Sequence, residues 1–187
     1  MTLTLNKRTF NVNEYHLMFN AGILQESDRT ELITGEIITM SPIGFKHASC
    51  VARLVRLFTL KLMDRGLVFP QNPIKLNNNS EPQPDLAILK YRDDFYNQQL
   101  PQSDDVLLII EVADTTLEFD QDVKIPLYAS ANLPEVWIMD LNSDCLEVYR
   151  HIHQGKYQEK RRLCQGDYIN VLAVNDILFS VGEILGK

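Results

Sequence analysis

The sequence has no apolar run approaching the roughly 20 residues that span a bilayer. Its first residues, Met1-Thr2-Leu3-Thr4-Leu5-Asn6-Lys7-Arg8, lack the charged start and apolar stretch of a secretory leader. The expectation is a cytoplasmic protein without membrane contact. Cysteine is scarce. Cys50, Cys145 and Cys164 are odd in number and form no CxxC pair, which argues against a disulfide framework or a structural zinc site and for small buried apolar residues. Basic residues are outnumbered: 18 Lys and Arg face 25 Asp and Glu, a net charge of −7. A protein that simply coats nucleic acid is usually basic, because neutralising phosphates drives such binding. Any contact of this chain with DNA must therefore be local or bridged by metal ions. There is no internal repeat, low-complexity tract or Pro/Ser-rich linker, and 187 residues are ample for one core but short for two, so one domain is expected. A GxSxG elbow, a P-loop and a helix-turn-helix or finger pattern are all absent.

What is present is an alternation of helices and strands. A helix is predicted over Val12 to Asn20, ending near Gly22, and two short strands flank Thr34-Gly35 within Thr30 to Met40. Ser41-Pro42 and Gly44 break the chain. From His47 to Asp64, Val51, Leu54, Val55, Phe58 and Leu62 recur on one helical face, and Gly66 is a good stop. Arg53 and Arg56 lie off that face, free to meet phosphates or water. Leu67 to Leu76 and Gln83 to Leu89 read as strands around the Asn77-Asn78-Asn79-Ser80 turn, and Arg92 to Asp105 as a polar loop. The run Val106 to Val112 suits a strand buried on both faces. A helix over about Asp122 to Asn132 and a buried strand from Glu135 to Leu141 follow. The tail holds a hairpin, Leu146 to Ile152 with Tyr157 to Leu163, and a last strand or short helix after Asp176. His151 and His153 alternate on one face of that hairpin, a metal pair only if a third ligand joins them and otherwise an exposed edge. The class is α/β or α+β around a mixed sheet.

Two carboxylates interrupt apolar strands. Asp85 follows a proline ahead of Leu86-Ala87-Ile88-Leu89, and Glu111 ends five apolar residues. Burying a carboxylate costs several kcal/mol unless it is compensated. One compensation is a shared divalent cation, Mg²⁺ or Mn²⁺ by ligand type; the other is an ordinary ion pair or a solvated strand end. Lys124 lies beyond the Glu111 strand, with Asp120 four residues before it and Tyr128 four after, a spacing that shares one helical face. A lysine so placed can orient water or stabilise charge on a phosphoryl group, or simply pair with Asp120.

These residues carry a resemblance. Glu31-Leu32-Ile33-Thr34-Gly35-Glu36, His47 opening a helix, Gln83-Pro84-Asp85, Ile110-Glu111-Val112, Asp120 to Lys124 to Tyr128, and Leu133-Pro134-Glu135-Val136-Trp137-Ile138-Met139-Asp140 occur in this order. The sequence resembles the Uma-two family of endonucleases in the PD-(D/E)XK superfamily, from about Asn13 to the C-terminus. The resemblance implies a restriction-endonuclease-like core: a mixed central sheet flanked by helices, with added β-hairpins. Within one domain of 1–187, it divides the chain into an N-terminal helix and hairpin (12–40), a nuclease core (46–141) and a C-terminal β extension (145–187). It implies a catalytic set of Asp85, Glu111 and Lys124, with a fourth acidic residue from the hairpin. Glu31 and Glu36 both match; Glu36 is preferred because it follows the tight turn, and it would join Asp85 and Glu111 as a metal ligand. His47, Asp120 and Tyr128 are possible auxiliaries. The superfamily pattern departs at Ala113, where a lysine is expected two residues after the glutamate, and Lys124 is its replacement. Pro126, tolerated only in the first turn of a helix, sits close behind Lys124. The expected function is Mg²⁺- or Mn²⁺-dependent hydrolysis of DNA, by a homodimer if both strands are cut. The alternative is the same fold kept as a nucleic-acid-binding or protein-interaction module without catalysis.

Overall fold

The computed structural model describes residues 7–187; the reading of Met1 to Asn6 as no leader falls outside them. Helix α1 (Val12–Asn20) is started by Asn11, whose side chain accepts from the Glu14 backbone while the Glu14 carboxylate accepts from the Asn11 N–H, a reciprocal cap. Strands β1 (Thr30–Ile33) and β2 (Glu36–Thr39) pair antiparallel around Thr34-Gly35. Gly35 has φ +85° and lies against Thr9, where a Cβ would fall 2.6 Å from the Thr9 Cβ, so the turn requires glycine. Helix α2 (Phe45–Leu62) leads to β3 (Leu67–Pro70), β4 (Leu86–Leu89) and β5 (Val106–Ala113). The helical segment after β5 comprises α3 (Leu117–Phe119), a π-helical turn (Asp120–Lys124) and α4 (Ile125–Ser130). Then come β6 (Glu135–Asp140), β7 (Cys145–His153), β8 (Lys156–Cys164), β9 (Tyr168–Val171), β10 (Val174–Ser180) and α5 (Val181–Leu185).

Six strands form one mixed sheet in the order β3-β4-β5-β6-β7-β8. β5 and β6 are parallel, which requires a crossover, and the α3–α4 segment supplies it. On one sheet face, Val51, Leu54, Phe58 and Leu62 of α2 pack with Leu86, Ile88, Leu108 and Ile110 and with Phe179, Val181 and Ile184 of the tail. Phe58 stacks on Phe179 and meets Trp137 edge-on. On the other face, Ile125 and Tyr128 of α4 cover Ile109, Ile138 and Tyr149. β5 and β6 are thus buried from both sides, as their unbroken apolar runs require.

Several expectations are corrected. β3 stops at Pro70 rather than Leu76, because Pro70 and Pro73 cannot donate to a ladder. The helix after β5 begins at Leu117 rather than about Asp122. Beyond Asp176 the chain forms both a strand and a helix. Arg53 is partly buried, and its Nε donates to the Ile184 carbonyl at 3.2 Å and ties α2 to α5, while Arg56 is exposed. His151 is exposed on the hairpin, as the edge reading has it, and pairs with Glu159.

Cys145 and Cys164 form a disulfide, against the expectation of three free thiols. They are directly opposed in the β7–β8 ladder with Cα atoms 4.4 Å apart, a spacing that allows the bond. The pairing depends on strand register, which a sequence separation of 19 does not reveal. Cys50 stays free and buried. The bridge closes a short loop, which the chain-entropy model values at about 3 kcal/mol. Reduction should lower the urea midpoint accordingly; coincident curves for oxidised and reduced protein would show that the bridge contributes nothing.

Candidate active-site cleft

The antiparallel β4–β5 register pairs Leu86 with Ile110, so Asp85 and Glu111 are neighbours at one end of the sheet. The Asp85 N–H points at Glu111 Oε2, 3.3 Å away, and Asp85 Oδ2 accepts from the Val112 N–H at 2.9 Å. Asp85 stands just ahead of β4, after Pro84, where the ladder gives way to a turn that leaves its carboxylate partly exposed. Glu111 lies within β5 and is only 2 % exposed.

Lys124 arrives from the crossover. In the π-helical turn the Ile125 N–H reaches back to the Asp120 carbonyl, and the next residue, Pro126, has no N–H to place. The turn therefore carries the chain past Pro126 without breaking the helix. Asp120, Lys124 and Tyr128 are all buried. Lys124 Nζ lies 3.2 Å from Glu111 Oε1 and 3.4 Å from Glu31 Oε2. Tyr128 donates to Glu111 Oε1 at 2.5 Å, and Thr116 Oγ1 donates to Asp120 Oδ2 at 2.8 Å.

The hairpin carboxylate in this cluster is Glu31, not Glu36. Register pairs Glu31 with Ile38 and Ile33 with Glu36, so both glutamates share a face, but Glu36 is two residues nearer the turn, roughly 7 Å along the strand. Glu36 is exposed and pairs with Lys7 at 3.1 Å. Glu31 is buried and accepts from the Gln83 N–H at 3.0 Å. Proximity to the tight turn, the ground for preferring Glu36, places that residue outside the cleft.

His47, in the first turn of α2, sets Nε2 2.9 Å from Asp85 Oδ1, while its Nδ1 is buried with no hydrogen-bond partner among the described residues. The hydrogen bond to Asp85 raises the His47 pKa above the ordinary histidine value against the effect of burial and of the Arg29 charge. Burial pushes the Glu111 carboxyl well up against the pull of Lys124, and Asp120 and Asp85 push the same way. Asp120 is raised to about 6, again first by burial. Burial works against the Lys124 charge, but Glu111, Glu31, Asp120 and Asp85 outweigh it and hold the ammonium above its usual range. Four carboxyl groups thus surround one buried ammonium at the floor of a 460 Å³ cleft, walled also by Arg29, His47, Gln83, Asp114 and Phe119.

Among the described residues, no three His, Cys, Asp or Glu side chains converge as a ready-made metal cage. The donor set nevertheless fits a hard divalent cation. Mg²⁺ keeps several waters and commonly takes only one or two protein carboxylates. Asp85 and Glu111 are adjacent, and a cation between them would favour the charged form of the Glu111 carboxyl that burial disfavours.

The Uma2 family model, described as "Putative restriction endonuclease", matches residues 12–181. The chain belongs to the Uma2 family. The fold of this Uma2 protein is also that of a "putative nuclease belonging to DUF820" from Anabaena variabilis ATCC 29413, known from a crystal structure. The two share 14 % identity with a TM-score of 0.69, over 89 % of this chain and 95 % of that one. No protein of curated function matches the chain.

Replacing Lys124 with Met would leave Glu31 and Glu111 buried without their counter-ion, a change that typically costs about 3–5 kcal/mol. Adding Glu31→Gln should recover part of that loss in urea unfolding. A Lys124→Met protein as stable as wild type would refute the ion-pair cluster.

Proposed function

We propose that this Uma2 protein is a Mg²⁺- or Mn²⁺-dependent endonuclease that hydrolyses DNA phosphodiester bonds in the Asp85–Glu111–Lys124 cleft. The observation that carries this reading is the convergence of two adjacent strand carboxylates and a buried lysine, drawn from three separate segments, in an open cleft. Asp85 and Glu111 would hold the cation. When bound, it supplies activation of water at neutral pH and shields charge growing on the phosphate. Water attacks phosphorus, the bond to the leaving oxygen breaks, and the products are a phosphate monoester and an alcohol. Lys124 has three donors. Two face Glu31 and Glu111, and the third is left to orient the water or a non-bridging phosphate oxygen. Glu31 fixes Lys124 rather than meeting the substrate. Tyr128, through its hydrogen bond, fixes the Glu111 carboxylate. His47 orients Asp85, and Asp120 adds to the negative field that keeps Lys124 charged. The missing lysine at Ala113 is thereby replaced from the helix, and a bound cation lets an acidic chain accept a phosphate.

A second reading, a nucleic-acid-binding or protein-interaction module that does not cut, is favoured by Ala113, which stands where the superfamily pattern has its lysine. Cleavage assays decide between them. With Mg²⁺ or Mn²⁺, supercoiled plasmid and single-stranded circular DNA should be tested. Asp85→Asn, Glu111→Gln and Lys124→Met should each lose about a hundredfold or more, EDTA should abolish activity, and Glu36→Gln should retain it. Equal cleavage by wild type and all three cleft variants would remove the assignment.

A further inference from the structure

A second cleft, of 740 Å³, adjoins the first and is the larger of the two. Arg29 and Gln83 belong to the walls of both, so the two spaces meet at this pair. The size lies within the ~300–1,000 Å³ of pockets that hold small organic ligands. Its far wall comes from α1. Phe19 is half-buried and packs edge-on to Tyr15, with ring centroids 5.1 Å apart. His16 is held by both oxygens of the buried Glu81, at 2.8 and 2.9 Å, leaving its half-exposed ring fixed in position. Asn72 and Gln83 add side-chain amides, which both donate and accept hydrogen bonds.

Arg29 is the cation at the junction. Its backbone is left-handed (φ 48°), and Nη1 donates to the Ser41 carbonyl at 3.2 Å. It takes part in no ion pair among the described residues. A guanidinium without a carboxylate partner, in a region crowded with carboxylates, is available to an anionic group of a ligand. Rings and amides beyond it suit the face and edge of a nucleobase.

We infer that the second cleft receives an unpaired nucleotide of the substrate strand, with Arg29 on the phosphate that links it to the catalytic cleft and the Phe19 and His16 rings against its base. The inference rests on the nuclease reading of the first cleft and adds a substrate class. Bases in an intact duplex are stacked and paired, so they cannot enter a side pocket without being extruded. The preferred substrate is therefore single-stranded DNA, or a strand frayed or flapped beside the cut.

The test is fluorescence anisotropy with the Asp85→Asn protein in Mg²⁺ buffer. A fluorescein-labelled 12-nucleotide strand is compared with its matched duplex across a salt series. The single strand should bind at least about tenfold more tightly. Arg29→Gln on that background should weaken single-strand binding about tenfold and reduce the slope of log affinity against log salt by about one, while Arg29→Lys should keep the slope. Phe19→Leu should weaken single-strand binding about fivefold or more, as loss of base stacking does, and leave duplex binding unchanged; thermal melts matching the parent confirm that the variants fold. Equal affinity for the two DNAs, or an unchanged affinity and salt slope in Arg29→Gln, overturns the subsite. If wild type then still cuts DNA in an Asp85-dependent way, the nuclease reading survives that result. No binding together with no Asp85-dependent cleavage overturns both.

Discussion

The ammonium of Lys124 lets Glu31 and Glu111 be buried side by side. Neither carboxylate could stay charged in the interior alone, and each comes from a different part of the chain. The lysine therefore joins the N-terminal hairpin, the centre of the sheet and the crossover helix in one contact. Tyr128 and Thr116 close the remaining demands on Glu111 and Asp120. The result is a buried polar cluster in which carboxyl groups outnumber ammonium groups. An arrangement kept only for stability would balance the charges or omit them, since apolar replacements of buried ion pairs are often at least as stable. Carboxyl groups clustered at the floor of an open cleft are what the proposed divalent cation would use.

Much of this was legible in the sequence, for physical reasons. The apolar runs of β5 and β6 required burial on both faces, and that placed them centrally. The spacing of Asp120, Lys124 and Tyr128 put them on one helical face, and they are buried together although the helix is not regular there. The polar interruptions at Asp85 and Glu111 marked the end of the sheet where they meet. What failed depended on register or on distant neighbours. Glu31 and Glu36 sit on the same face of one hairpin, and only the position of the cleft along that face separates them. The Cys145–Cys164 bond follows from a ladder alignment that no spacing rule gives. Arg53 was read as a surface cation because its partner, a carbonyl of the last helix, is 131 residues away.

The second cleft shows the same limit in another form. Its walls come from α1, the turn before β1 and the segment around Asn72 to Gln83. Apart from Gln83, none of these belongs to a motif. The segment at Glu81 to Gln83 is the ridge between the two spaces: Glu81 pairs its backbone with Leu32, and the Gln83 N–H bonds Glu31. One short stretch of extended chain thus shapes the floor of both clefts. If the substrate strand is unpaired where it crosses that ridge, a single copy of the chain suffices for cutting, and the homodimer expected for cleaving both strands is not required.

The π-helical turn has a consequence of its own. Such a turn holds one residue more than the α-helical path it replaces, so it absorbs that residue without changing the angular phase between the segment before Asp120 and the segment after Lys124. Loss of a single residue inside it would leave the helix continuous and its apolar content intact. It would turn the Asp120–Ile125 bond into an ordinary α-helical one and leave α4 in the same phase against the sheet, with Tyr128 still facing Glu111. The cleft is thus more tolerant of a deletion at Gln121 or Asp122, neither of which contacts Asp85 or Glu111, than of a deletion in the regular helix between Lys124 and Tyr128, which would turn one of that pair by about 100°. A relative one residue shorter at this turn would keep the cleft geometry on an unbroken α-helix.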